Sequence, residues 1–434
     1  MNLDRSTTKS RYLWIIPIIT ILLVLRDIGN FAVNKYIFVG ICAIFFYISS
    51  LNELVISLSF IAPLLYGLPG NYIMPLALII YLIKKRRISK EQFFYIIFIA
   101  GMEFVAARRY SSLQIDSILG YISIASLFFV MINEKSELDY EKCLRAFVLG
   151  ITVICSVVIV STIKNAPSNW IAQLSSGYFR FGVVEDTTDG LRLSLNANAM
   201  SFFSIAGISI IMVLLKKGRS ENRTFLYAEF IILLLAGLLS LSRMWFIDGI
   251  VCVFFFIIFS GREKGFVLRG IGILALIIIG IFVIDRYLPS LTVGIRNRFE
   301  REDLLTGNQR FSILKDYLNA FTKKPSYLLL GTGVTQYSRV LGLSGHSIHT
   351  GIVQILICYG VVGFVVFMYG WLKPILASIK RIDKVYFVPF ICVFVYSLSA
   401  QFVNPWYLLF PHLFAVYTVL LGNANISNEV IDEI

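Results

Sequence analysis

Charge is scarce in this chain. Asp, Glu, Lys and Arg together make up 15% of its 434 residues, 57% are hydrophobic, and the mean hydropathy is +0.79. A soluble domain covers its surface with roughly 25% charged residues, so the composition excludes a soluble globular protein and predicts an all-α polytopic integral membrane protein. Polar stretches are scarce as well. Between Tyr12 and Gly422 none is large enough to fold alone, which leaves a single membrane domain over residues 1–434. The six cysteines, at 42, 143, 155, 252, 358 and 392, have no CxxC or Cys/His spacing, which speaks against a disulfide framework or a zinc site. No basic helix with interleaved aromatics occurs, so no nucleic acid partner is expected despite a formal charge of +13. The first apolar run passes straight into Arg26 and Asp27 without the small-residue cleavage site of a signal peptide, and is expected to remain as an anchor.

What is present is a succession of apolar runs, from 12–25 to 406–422, that predicts 12–14 transmembrane helices. Several runs are shorter than the ~20 residues that cross a bilayer as a straight helix. In 36–83, the residues Pro63, Gly67, Pro69, Gly70 and Pro75 mark either a tight turn between two helices or a broken helix. Clusters such as Arg5/Lys9/Arg11, Lys84/Lys85/Arg86/Arg87, Lys216/Lys217/Arg219 and Lys380/Arg381/Lys384 fall on one side in the fourteen-segment reading, and that side is cytoplasmic by the positive-inside rule. Two long loops then face outward, about 164–195 and 289–347, and loops of this length are usually functional. The second holds a candidate amphipathic helix over about 309–324. Phe311, Leu314, Leu318 and Phe321 share one face, Asn308 caps the start, and Lys323, Lys324 and Pro325 close it. Such a helix lies either on the bilayer surface or against the bundle.

Histidine is rarer than any other titratable type: three residues, His346, His349 and His412. The first two stand where the second outer loop meets an apolar run, and imidazole is the one side chain that titrates near neutrality. His412, inside FPHLFAVY, is expected to be structural. Four outward arginines, Arg180, Arg192, Arg243 and Arg310, are not explained by the positive-inside rule. An arginine near a bilayer face is retained where an anion or a carboxylate compensates it. For Arg180 snorkelling or loop solvation is the expectation; for Arg243 the alternatives are an interface anchor paired with Asp248 and a functional cation. Guanidinium forks suit pyrophosphate, because each donates two parallel hydrogen bonds. At an outer membrane face the obvious pyrophosphate is that of a polyprenyl-linked sugar. Negative charge grows on its leaving oxygen during glycosyl transfer, where fixed positive charge stabilises the transition state. A base for the acceptor hydroxyl adds ~10²–10⁴-fold.

Four stretches carry a family likeness: LRLSLNANAMSFF, LSLSRMWFIDG, GNQRFSILKDYLNAFTKKPSYLLLGTG and SIHTGIVQILICYGVVG. In the last two, an arginine opens a helix, a glycine pair follows, and then His349 precedes Gly360 by eleven residues, with Gly363 completing a short G-x-x-G. The chain resembles the O-antigen ligase and polysaccharide polymerase family of bacterial envelope proteins, from roughly 177 to 370. It departs at Thr350 and Ile352, where the family commonly has asparagine and an aromatic residue. His346 does not fit the family spacing.

The resemblance implies an inverting, metal-independent glycosyltransferase of the C-type membrane fold, with Arg192, Arg243 and Arg310 on the pyrophosphate and His349 as base. Arg180, His346 and Asn198 are further candidates. No metal or cofactor is expected, in keeping with a first outer loop, RDIGNFAVNK, that has one aspartate rather than paired carboxylates. The acids Glu185, Asp186, Asp189, Glu300, Glu302 and Asp303 are expected to be solvated or sugar-contacting. The implied partners are a polyprenyl-pyrophosphate-linked oligosaccharide donor and acceptor, the lipid bilayer, and the chain-length regulator and flippase of the same pathway. The implied place is the bacterial cytoplasmic membrane, with the site facing outward. The favoured activity is a polymerase of lipid-linked repeat units (O-antigen, capsule or exopolysaccharide), and the alternative is a ligase passing the finished glycan to a lipid or protein. A flippase for the same lipids would predict an internal repeat and mid-helix charges, and no such repeat is found.

Overall fold

The computed structural model describes residues 12–107, 115–134, 138–177, 179–182, 195–218, 223–260, 282, 285–301, 310–334, 337–343, 348–399 and 408–432. In chain order its helices are α1 (Tyr12–Asp27), α2 (Lys35–Ile48), α3 (Leu51–Leu64), α4 (Gly70–Lys85), α5 (Lys90–Ala107), α6 (Ile115–Ile132), α7 (Tyr140–Asn165), α8 (Trp170–Ser175) and α9 (Ala197–Lys217). They continue as α10 (Arg223–Leu239), α11 (Arg243–Ser260), α12 (Pro289–Arg301), α13 (Arg310–Thr322), α14 (Pro325–Leu330), α15 (Tyr337–Val340), α16 (Gly351–Ser378), α17 (Val388–Ser397) and α18 (Leu409–Asp432). Among the described residues five helices are long and apolar enough to cross a membrane: Tyr140–Asn165, Ala197–Lys217, Arg243–Ser260, Gly351–Ser378 and Leu409–Ile426. Shorter apolar helices, including Lys35–Ile48 and Leu51–Leu64, accompany them. Among the described residues the fold is thus all-α, that of a multi-pass membrane protein. Most of the apolar run at 266–288 lies outside the described residues.

The ambiguous stretch 36–83 folds as three helices, α2, α3 and α4, with a tight turn at 65–69 and with Pro63 and Pro75 inside helices. Buried Arg26 closes that turn. Its Nη1 donates to the Gly67 carbonyl at 2.6 Å, while Nε and Nη2 grip the neighbouring Asp27 carboxylate at 2.8 Å each. A capping box begins α3: the Ser50 hydroxyl takes the Glu53 N–H, and the Glu53 carboxylate takes the Ser50 N–H.

Small residues let the helices approach closely, as membrane bundles require. A Cβ on Gly150 of α7 would stand 2.3 Å from the Phe60 carbonyl oxygen of α3. On α9, Ser204 donates to the Leu233 carbonyl of α10 at 2.6 Å and accepts the Trp245 indole N–H of α11 at 2.9 Å. The two long loops meet each other. Asn297 of α12 donates to the Ser175 carbonyl of α8 at 2.7 Å, and a Cβ on Gly294 would lie 2.3 Å from the Leu174 oxygen.

Helix α13 packs against the bundle by most of the stripe expected from sequence, with Leu314 and Leu318 half-buried and Phe321 buried, but shifted at its start. Tyr317 and Phe321 are buried, whereas Phe311 is 64% exposed. The period-3.6 stripe rotates because Tyr317, a polar-tipped residue outside the expected face, finds a partner inside: its ring lies 5.6 Å from that of Tyr337. Beyond α13 the chain runs through the exposed α14 and then turns inward at residues 331–334, which are buried. There it meets α16, whose helical course breaks at Gly360 (φ 65°, ψ −173°). A break orphans carbonyls of the preceding turn, which an apolar surrounding does not satisfy. Here the Ile357 oxygen accepts the Thr332 N–H at 3.0 Å and the Thr332 hydroxyl at 3.1 Å, and the Cys358 oxygen accepts the Gly333 N–H at 2.9 Å. The glycines make room for this. A Cβ on Gly331 would stand 2.2 Å from the Cys358 oxygen, and one on Gly360 2.4 Å from the Leu329 carbonyl carbon.

Candidate active site

The starts of α9 and α11 come together at the Tyr396 hydroxyl of α17. It donates to the Asn198 carbonyl at the start of α9 (2.9 Å), is hydrogen-bonded to the Ser201 hydroxyl, and lies 3.4 Å from the Ser242 hydroxyl. Ser242 directly precedes Arg243, the first residue of α11. The guanidinium of Arg310, first residue of α13, acts electrostatically on the same Tyr396 hydroxyl. Asn196 caps α9 by accepting the Ala199 N–H at 2.8 Å. The turn before α11 forces Leu241 to φ 49°, a conformation stabilised by its burial beside Gly294.

His349 stands just before α16 and is half-buried. Burial, and after it the positive charge of Arg310, holds its imidazole below the ordinary value. Arg310 is thus near enough for its charge to add to the effect of burial on the His349 imidazole. The segment carrying His349 is held in place. Neighbouring Ile348 is buried, and its backbone lies at the Tyr337 hydroxyl.

The candidates from sequence fall into groups. The Arg310 charge acts on both His349 and Tyr396; Asn198 reaches Tyr396 by its backbone carbonyl rather than its side chain, and Arg243 follows Ser242, whose hydroxyl lies 3.4 Å from that of Tyr396. Arg180 lies beside Phe181, whose N–H donates to the Leu239 carbonyl at 3.2 Å, so it borders the turn that leads into Arg243. Arg192 and His346 lie outside the described residues. The pairing of Arg243 with Asp248 is not made: both Asp248 carboxylate oxygens are buried and accept no hydrogen bond from the described residues. All six cysteines are free and buried. Among the described residues no group of three or more His, Cys, Asp or Glu side chains is placed to hold a metal ion.

Tyr396, Ser201 and Ser242 escaped the sequence reading. The two serines belong to the stretches that carry the family likeness, LRLSLNANAMSFF and LSLSRMWFIDG, and so had a signal. Tyr396, within an apolar helix among 22 tyrosines, had none. No protein-family model matches the chain, and no curated protein matches it.

Proposed function

We propose that the chain is a polysaccharide polymerase that joins polyprenyl-pyrophosphate-linked repeat units at the outer face of a bacterial cytoplasmic membrane. The observation that supports this reading is that the charge of Arg310, within the second long loop, acts on the imidazole of His349, just beyond that loop's end. In the proposed reaction Arg310 and Arg243 bind the donor pyrophosphate. His349 enters neutral, because burial and Arg310 both disfavour the imidazolium, and accepts the proton of the acceptor sugar hydroxyl. The hydroxyl oxygen attacks the anomeric carbon from the face opposite the pyrophosphate, that carbon–oxygen bond breaks, and the polyprenyl pyrophosphate departs with the electron pair. The repulsion that keeps His349 neutral in the free protein is offset as negative charge grows on the leaving group beside Arg310. Proton uptake and bond breaking therefore favour each other.

Deleting the gene in its native host and separating surface and lipid-linked glycans on gels tests the reading. Single repeat units accumulating on the lipid are the expected result. Long chains stranded on polyprenyl lipid would assign the ligase activity instead, and normal polymer at the surface would sink both.

A further inference from the structure

Between Arg310 and His349 the chain is pinned by a carboxylate that the proposed chemistry does not use. Glu103 lies in the apolar run FIAGMEFVAA of α5 and is 1% exposed. Its Oε1 accepts the Val334 N–H at 3.3 Å. The Tyr359 hydroxyl, which donates to the Tyr121 hydroxyl of α6, is near enough to the same carboxylate to interact with it electrostatically. Val334 ends the stretch of chain that began at Arg310, and Tyr359 immediately precedes the break in α16, the helix that His349 leads into. One side chain of α5 therefore holds the first arm of the site by a hydrogen bond and stands beside the second. A carboxylate in an apolar helix is expensive to bury, and such residues tend to be kept for function.

We propose that Glu103 is a positioning residue for the transfer reaction: it docks residues 331–334 and the broken turn of α16 onto α5, and so fixes the Arg310 guanidinium relative to the His349 imidazole. The inference rests on the reaction proposed above. It is tested with two measurements on the full chain. In hydrogen–deuterium exchange, Glu103→Ala exposes the 331–334 amides to faster exchange, while Glu103→Gln, whose amide oxygen still accepts the Val334 N–H, keeps the wild-type rate. In kinetics with the lipid-linked repeat unit extracted from the deletion strain, Glu103→Ala lowers kcat about 10²-fold with little change in KM, as expected for misplaced groups, and Glu103→Gln restores it. Unchanged exchange in Glu103→Ala overturns the proposal. So does a Glu103→Gln variant with wild-type exchange but the low kcat of Glu103→Ala, because the carboxylate would then act in the chemistry itself. If the wild-type chain extends no glycan, the polymerase reading falls on its own, and the exchange rates still decide whether Glu103 holds the segment.

Discussion

His412 and His349 are the same side chain in two regions of opposite character. His412, on α18, is 1% exposed and stands edge-on to Trp371 at 4.8 Å and beside Phe202 at 5.9 Å, deep in an aromatic cluster. His349 is half-exposed, outside the apolar helix, and within the field of a guanidinium. Phe202 ties the regions together, since it also stacks on Tyr396 at 4.8 Å. The difference teaches that an imidazole becomes a candidate base through access and a neighbouring charge, whereas one enclosed by rings serves as a polar-tipped space filler.

The largest expected effect is on the loop side of this contrast. His349→Ala is expected to reduce glycan extension by ~10²–10⁴-fold with the thermal unfolding temperature unchanged, measured as polymer per folded protein. An active His349→Ala variant would remove the base assignment.

Next comes Arg310. Replacing it by Gln is expected to lower activity by roughly 10²-fold and to move the acid limb of kcat/KM upward. The sign follows from the active form being neutral His349. Activity is lost as pH falls through a pKa that burial and Arg310 depress, and removing the charge raises that pKa. Arg310→Lys keeps the charge, so its limb should stay in place while its rate falls for want of a bidentate fork. A limb that ignores Arg310→Gln would break the link between the two residues.

On the interior side, His412→Ala should open a cavity beside Trp371 and destabilise by on the order of 2–4 kcal/mol, read by thermal unfolding, with full activity in the folded fraction. Loss of activity at native stability would collapse the contrast between the two imidazoles. The smallest expected effect is that of Tyr396→Phe, which removes the hydroxyl shared by Asn198, Ser201 and Ser242. A loss of about 1 kcal/mol and a several-fold lower rate are expected, because the convergence of helix starts would loosen without dissolving.

Much of the helical organisation was legible in sequence because it depends on sums. Apolar runs of helical length mark α7, α9, α11, α16 and α18 whatever their neighbours. His349 and Arg310 were legible because titratable and cationic groups stand out where nearly every residue is apolar. The face of α13 was legible through Leu314, Leu318 and Phe321 but not at its first turns, since Tyr317 and Phe311 are both acceptable on a helix stripe and only the position of Tyr337 decides between them. Gly331 and Gly360 were visible as motif glycines, but their reason, two backbones in contact, appears only when segments distant in sequence are superposed in space. Glu103 and Tyr396 were hidden for the same reason: each draws its meaning from elements that arrive from elsewhere in the chain.

The splice at Gly360 also bears on biosynthesis. The donor Thr332 precedes its acceptor Ile357 by 25 residues, so the segment that completes the broken helix has left the ribosome before the helix itself. A nascent chain translated in this order has the donors in hand when the unwound carbonyls emerge. A circularly permuted gene that began after residue 334 would reverse the order of delivery and leave those carbonyls waiting for a strand not yet made.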